Sequence, residues 1–288
     1  MYTIQVLDAS GNVKQSASGP DFVRFLYTQP YEQGDTIAFF ADEQHCILQV
    51  DQSVPEAMVY LPGKQLYYRI PKGDFALAYA PQAFAGDMHI LQIRPARKEE
   101  LSARRNLALN PADQRFYEGC YPHATASIET RDEPVFFARN VIDGLKFNES
   151  HGGWPYLSWG IGNKDDAEIT LHFGRTVRID EVGITLRADF PHDSWWEKAT
   201  LAFSDGQILS LSLVKTDATQ YFHVGEHLAD WVRLSDLKRA DDPSPFPALT
   251  QWEVFGQEIL CPIGGTSIME NSDACTCLLK RKEMPITN

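Results

Sequence analysis

Apolar side chains recur in this chain at every second position over short runs, and each run stops at turn-forming residues. Tyr2, Ile4 and Val6 alternate before Asp8-Ala-Ser-Gly11. Much later Leu201 and Phe203 lead into Ser204-Asp-Gly206, and Leu209, Leu211 and Leu213 lead out of it. A period of two puts one face of a strand on a core and the other toward water, and a turn between two such runs makes a hairpin. The expected fold class is therefore all-β. A chain of 288 residues has room for two cores.

Further strands are predicted at Phe22–Tyr27, Thr36–Phe40, Cys46–Val50, Ala57–Leu61, Leu66–Ile70, Phe75–Tyr79 and His89–Ile93. Gly34-Asp35, Asp51-Gln52, Pro62-Gly63, Pro71-Lys72-Gly73 and Gly86-Asp87 punctuate them with turn chemistry. Strands this short and regular predict a sandwich or jelly roll over residues 1–100. Tyr31, Tyr60, Tyr67, Tyr68, Tyr79 and Phe84 either pack its sheet faces or form an aromatic platform for a sugar. The charge-dense Arg94–Arg105 reads as a linker with a turn or two of helix. Residues 259–288 lose periodicity and read as a tail.

Between these, residues 105–258 read as a second sandwich, so that two tandem β-sandwiches are expected. Ile169, Leu171, Phe173, Val177 and Ile179 share one parity, whereas Val182, Ile184 and Leu186 take the other. One inserted residue turns over every later side chain, so a bulge or corner is predicted at Asp180-Glu181. Several phrases here, Asn106-Leu-Ala-Leu-Asn110, Pro122-His-Ala-Thr-Ala-Ser127, Ala138-Arg-Asn-Val-Ile-Asp-Gly144, Trp231-Val-Arg-Leu234 and Trp252-Glu-Val-Phe-Gly256, resemble those of the discoidin or F5/8-type C family. That resemblance implies a galactose-binding-like jelly roll and non-catalytic recognition of a carbohydrate through loops at one end. It also implies Trp159 as an exposed-loop tryptophan, and a structural calcium ion held by Asp143 and Glu253 with backbone carbonyls. Calcium accepts such oxygen donors, although Lys146 would oppose it; otherwise Asp143 caps its turn. Two stretches depart from the family pattern: His151–Gly162 is longer and more aromatic, and Asp241–Pro247 is a Pro-rich excursion.

Sugar recognition combines an aromatic ring under a pyranose with charged or amide groups on its hydroxyls. Arg187-Ala-Asp-Phe-Pro-His-Asp-Ser-Trp-Trp196 is the densest such mixture, with His151-Gly-Gly-Trp-Pro-Tyr156 and Trp159 beside it. Arg187, Asp189, His192 and Asp193 are the candidates for hydroxyls, Trp154 and Trp196 for stacking, with Trp159 and His151 alongside. Alternatively Trp195 or Trp196 plugs the core, and Arg187 pairs with Asp189. Asp189, His192 and Asp193, with Glu197, would also suit a glycan hydrolase or lyase. A third reading is an intracellular scaffold, or an oligomer, whose aromatic loops meet another protein; a flat aromatic patch would favour it, a polar cleft a sugar.

With 26 Lys and Arg against 39 Asp and Glu, the formal charge of −13 argues against nucleic acid and anionic membranes as partners. The opening residues lack a basic and apolar leader, and no run suits a membrane span, so a cytoplasmic location is expected. Five cysteines suit reduced thiols; Cys261, Cys275 and Cys277 do not match a known zinc finger. His223-Val-Gly-Glu-His227 has the spacing of a zinc peptidase motif, but Gly225 and flanking strands place it in a loop, where its histidines would diverge. Asn148-Glu-Ser150 is a glycosylation sequon, relevant only to a secreted eukaryotic chain.

Overall fold

The computed structural model describes residues 1–116, 119–188 and 194–259. Eight strands build the first unit: β1 (Tyr2–Leu7), β2 (Val13–Gly19), β3 (Val23–Tyr27), β4 (Thr36–Phe40), β5 (His45–Gln49), β6 (Ala57–Tyr60), β7 (Gln65–Arg69) and β8 (His89–Pro95). They form two antiparallel sheets, β2-β1-β4-β7 and β3-β8-β5-β6. Alternation does the work here. Ile4, Phe39 and Tyr68 from one sheet meet Phe25, Leu48 and Ile93 from the other in a common core.

Two elements of this unit differ from the expectation. β2, Val-Lys-Gln-Ser-Ala-Ser-Gly, has no buried residue, because it is an edge strand with little to hide; hydropathy gives it no signal. Phe75–Tyr79 is not a strand but lies on a 3-10 turn, Gly73–Ala78. That turn packs Ala78 against Val135, Phe136 and Leu157 of the second unit. The aromatic platform is largely absent too, since Tyr31, Tyr68 and Phe84 are buried together while Tyr67 alone of the six is 43% exposed.

The second unit contains β9 (Arg105–Asn106), β10 (His123–Ala126), β11 (Trp159–Gly160), β12 (Ile169–Leu186), β13 (Trp196–Phe203), β14 (Ile208–Ser212), β15 (Gln220–Arg239) and β16 (Ala248–Glu258). The protein is thus an all-β assembly of antiparallel sandwiches. β12 changes neighbours along its length: Ile169–His172 lies between β10 and β15, whereas Val177–Leu186 lies on β16. Registers against β15 and β16 both slip between Ile179 and Glu181, at the predicted bulge. Val182, Ile184 and Leu186 thereby stay buried with Ile169, Leu171 and Phe173. Gly174, with φ +69°, lies at the earlier bend, where a Cβ would strike the Tyr121 ring.

Arg97–Arg105 includes the short helix Lys98–Ser102, but the two units do not simply hang from it. Tyr60 and Tyr121 exchange both backbone hydrogen bonds across the junction, at 2.8 and 2.9 Å. Ala112 and Cys120 belong to the first unit's core. Glu258, at the end of β16, is buried among Arg105, Arg175 and His45, with Arg105 Nη2 at 2.5 Å and Arg175 Nε at 2.7 Å. Burial alone would raise this carboxyl; the Arg175 and His45 hydrogen bonds and the arginine charges hold it well below the usual range. Its contribution is complete above the ordinary carboxylate pKa and is lost as the pH falls through the depressed value. Glu258→Gln leaves two partly buried guanidinium groups without their carboxylate. Urea denaturation at neutral pH should show a loss of about 3–5 kcal/mol; a loss within error would mean that solvent screens the cluster.

Candidate functional site

Phe136 and Ile161 are buried at one end of the second sandwich, and above them opens a cleft of about 440 Å³. Its walls come from three connections. Residues 128–136 supply Ile128, Glu129, Thr130, Arg131 and Phe136; the loop after the Asp-Gly turn supplies His151 and Gly160–Asn163; the Pro-rich excursion supplies Phe246 and Pro247. Arg187, just past the end of β12, closes it. The two stretches that depart from the discoidin pattern therefore build much of this cleft.

The local backbone is held tightly. Thr130 Oγ1 accepts the Gly162 N–H at 2.9 Å, and a Cβ on Gly160 would collide with Thr130. Arg131, Asp132 and Asn163 all take left-handed backbone, at φ 53°, 58° and 60°. Non-glycine residues reach that region at some cost, and such strain concentrates at binding loops. Arg131 is clamped by both Glu133 oxygens, at 2.6 and 2.7 Å, with its guanidinium 5.4 Å from the Phe136 ring centre. Glu129 Oε1 accepts the Ala138 N–H at 2.6 Å and Oε2 meets Arg115 at 2.5 Å, while burial pushes its carboxyl upward. Phe246 is 52% exposed and supplies an open aromatic face beside these polar groups.

The predicted residues separate under this geometry. Arg187 and His151 meet at the cleft. Asp189, His192 and Asp193 lie outside the described residues. Trp196 is not a stacking platform but fully buried, as is Trp159, which is no exposed-loop tryptophan. The two rings sit 6.3 Å apart, and Trp159 Nε1 donates to the Ile128 carbonyl at 2.9 Å, so both brace the sandwich beneath the cleft. Trp154, 38% exposed, faces a different hollow of about 180 Å³ between the units, shared with Asp143 and Arg139. Glu197 is bound to Lys238 at 2.6 Å. The sequence reading missed Phe246, Arg131 and Asn163, although the Pro-rich excursion that carries Phe246 was visible as an insertion.

Ala138–Ile142 is a buried 3-10 turn ending on Asp143. Asp143 Oδ1 accepts the Leu145 N–H at 2.8 Å and Gln251 Nε2 at 2.7 Å; the same Nε2 donates to the Asn140 carbonyl at 2.7 Å. Gln251 Oε1 takes the Gly144 N–H at 3.1 Å, where φ is +87°. An amide nitrogen thus stands where these oxygens converge. Glu253 is turned away to Lys146 at 2.6 Å and the Tyr221 hydroxyl at 3.3 Å. A calcium cage needs six or more oxygens, and this donor set does not fit one. Among the described residues no group of three or more His, Cys, Asp or Glu side chains could hold a metal.

His223–His227 lies inside strand β15, not in a loop. His223 is exposed, whereas buried His227 bonds Asp205 at 2.8 Å and the Val224 carbonyl at 2.9 Å. Asn148 is buried, with Nδ2 donating to the Leu186 and Asp217 carbonyls at 2.8 Å each, so the sequon is sealed in the fold. Cys46 and Cys120 are buried free thiols; Cys261, Cys275 and Cys277 lie outside the described residues. No described helix is long and apolar enough to cross a membrane.

Comparison with known proteins gives fold likeness only. No family model matches the chain, and neither does any curated protein. Among solved structures it is similar to chitosan-binding module 1 of a chitosanase/glucanase from Paenibacillus sp. IK-5, with 19% identity over 54% of this chain and 100% of that one, at a TM-score of 0.36. It is also similar to the family 32 carbohydrate-binding module of C. perfringens NanJ in complex with galactose, with 14% identity over 46% and 91%, at 0.35. A third is the lectin binding domain of Lectinolysin complexed with Lewis b, with 14% identity over 54% and 99%, at 0.40.

Two outcomes follow from the turn. Burial holds the Asp143 carboxyl at about 7, against the pull of the Arg139 charge and the Leu145 and Gln251 hydrogen bonds. The folded chain keeps a proton there that the unfolded chain loses near pH ~4. Its contribution is complete below that value, declines as the pH rises, and is gone above about 7. Asp143→Asn removes the ionisation and keeps an acceptor, so urea midpoints measured across this range should lose that decline; parallel profiles would contradict it. Melting of the native chain should also be the same in calcium and in chelator, and a clear rise with calcium would show a cation in the turn.

Proposed function

We propose that the second sandwich is a carbohydrate-recognition unit whose ligand seats in the loop-end cleft between Phe246, Arg131, His151, Asn163 and Arg187. The cleft supports this reading most directly, because it sets an open aromatic face beside cationic and amide side chains in about 440 Å³. An aromatic ring covers the apolar face of a pyranose, and guanidinium and amide groups donate to its hydroxyls in pairs. A flat apolar patch of the kind that meets a protein partner would lack such polar walls. Recognition without turnover is the simpler role for the described carboxylate of the cleft, since both oxygens of Glu129 are already engaged. The hydrolase or lyase reading rests on Asp189, His192 and Asp193.

The test is a broad glycan array with the native chain and with the double variant Phe246→Ala/His151→Ala. Both side chains are exposed, so the variant should fold normally. Binding to one sugar class should fall at least ~10-fold in the variant, as expected when a stacking face is removed. A folded native chain with no binding would overturn the proposal, and undiminished binding by the variant would place the ligand elsewhere.

A further inference from the structure

A second cleft lies where the two units meet, on the far side of the Ala138–Ile142 turn, with a volume of about 210 Å³. Phe75 enters from the first unit and Phe116 from the second, 46% and 63% exposed, their ring centres 6.4 Å apart in an edge-to-face pair. Arg69, Lys72, Arg115 and Arg139 also line it, and none of the described residues that do so is acidic. That is an unusual enclave in a chain with a net charge of −13.

Arg139 gives the enclave its sign. It is 5% exposed, and its guanidinium lies 4.8 Å from the Tyr79 ring centre. Its hydrogen bonds run to the Asp113 carbonyl at 2.8 Å, the Pro111 carbonyl at 3.0 Å and the Asn140 side-chain oxygen at 3.1 Å. All three acceptors are neutral. The Asp113 carboxylate is turned instead to His123 Nδ1 at 2.7 Å and the Ala124 N–H at 3.0 Å, and Asp143 takes Leu145 and Gln251 through Oδ1. No carboxylate hydrogen-bonds this guanidinium, although the Asp143 and Asp113 charges nearby offset part of its positive field. Arg115, by contrast, is already paired with Glu129 and Asp132. Arg69, exposed, and Lys72, half-buried, are the more accessible cations of the lining for an incoming anion.

We propose that this junction is a binding site for a small aromatic carboxylate. Its ring packs against Phe75 and Phe116, and its carboxylate meets Lys72 in the positive field of Arg139. Neither half is sufficient in isolation: an exposed Lys alone binds anions weakly, and two exposed rings alone do not select charge. Because each unit supplies one ring, occupancy also fastens the two units together.

Calorimetric titration of the full chain with benzoate tests this, with benzyl alcohol as the uncharged ring and acetate as the ringless anion. Benzoate should bind and the two controls should not, with affinity falling as salt is raised. Lys72→Met should weaken benzoate several-fold and Phe75→Ala should abolish binding, while circular dichroism shows both variants folded. Equal binding of benzyl alcohol, no benzoate binding by the native chain, or full affinity in Lys72→Met would each overturn the assignment. None of these outcomes touches the sugar cleft, whose walls share none of the residues changed.

Discussion

Gln251 holds the second unit's loop end to its sheet. Its amide reaches from β16 into the buried turn at Ala138–Asp143 and engages the Asn140 carbonyl, the Asp143 carboxyl and the Gly144 N–H. A turn buried this deeply carries backbone groups that water cannot reach, and each must find a partner inside the protein. One side chain meets two of these needs, at Asn140 and Gly144, and holds the Asp143 carboxyl as well. Asn140 adds the Pro134 and Ser158 carbonyls at 3.0 and 3.4 Å, which ties in the connections on either side. With the turn fixed, Phe136 is presented to the loop-end cleft and Arg139 to the junction between the units.

That arrangement explains why polar chemistry is concentrated around an apolar sandwich. Trp159, Trp196 and Trp252 are fully buried, so none of the three offers a face to a ligand. Phe246 and Phe136 serve one cleft, and Phe75 and Phe116 the other. The units are joined by the Tyr60–Tyr121 bridge and the Glu258 ion cluster. They touch directly at the junction and are not linked by the Lys98–Ser102 helix alone.

Period-two alternation made most of the strands legible, down to the parity switch that places a bulge at Asp180. It could not reveal β2, which buries nothing, or distinguish Phe75–Tyr79 from a strand, because a 3-10 turn packed on another unit shows similar local hydropathy. The site was harder to read. A tryptophan in a loop phrase looks the same in sequence whether it faces water or, like Trp159 and Trp196, seals the core. Asp143 and Glu253 look like a pair of ligands until the fold shows that Gln251, two residues earlier on the same face of β16, takes Asp143, and that Lys146 takes Glu253. Partner choice across a hundred residues is set by tertiary packing and leaves no local trace.

The most direct test of the Gln251 pin is native-state hydrogen exchange at the amides of Gly144 and Leu145. Gly144 donates to Gln251 Oε1 and Leu145 to Asp143 Oδ1, which Gln251 Nε2 holds. Both amides should exchange as slowly as the central amides of β16, and Gln251→Ala should release both while leaving the first unit's strands protected. Rapid exchange in the native chain, or protection that survives Gln251→Ala, would show that the turn is held by something other than this amide.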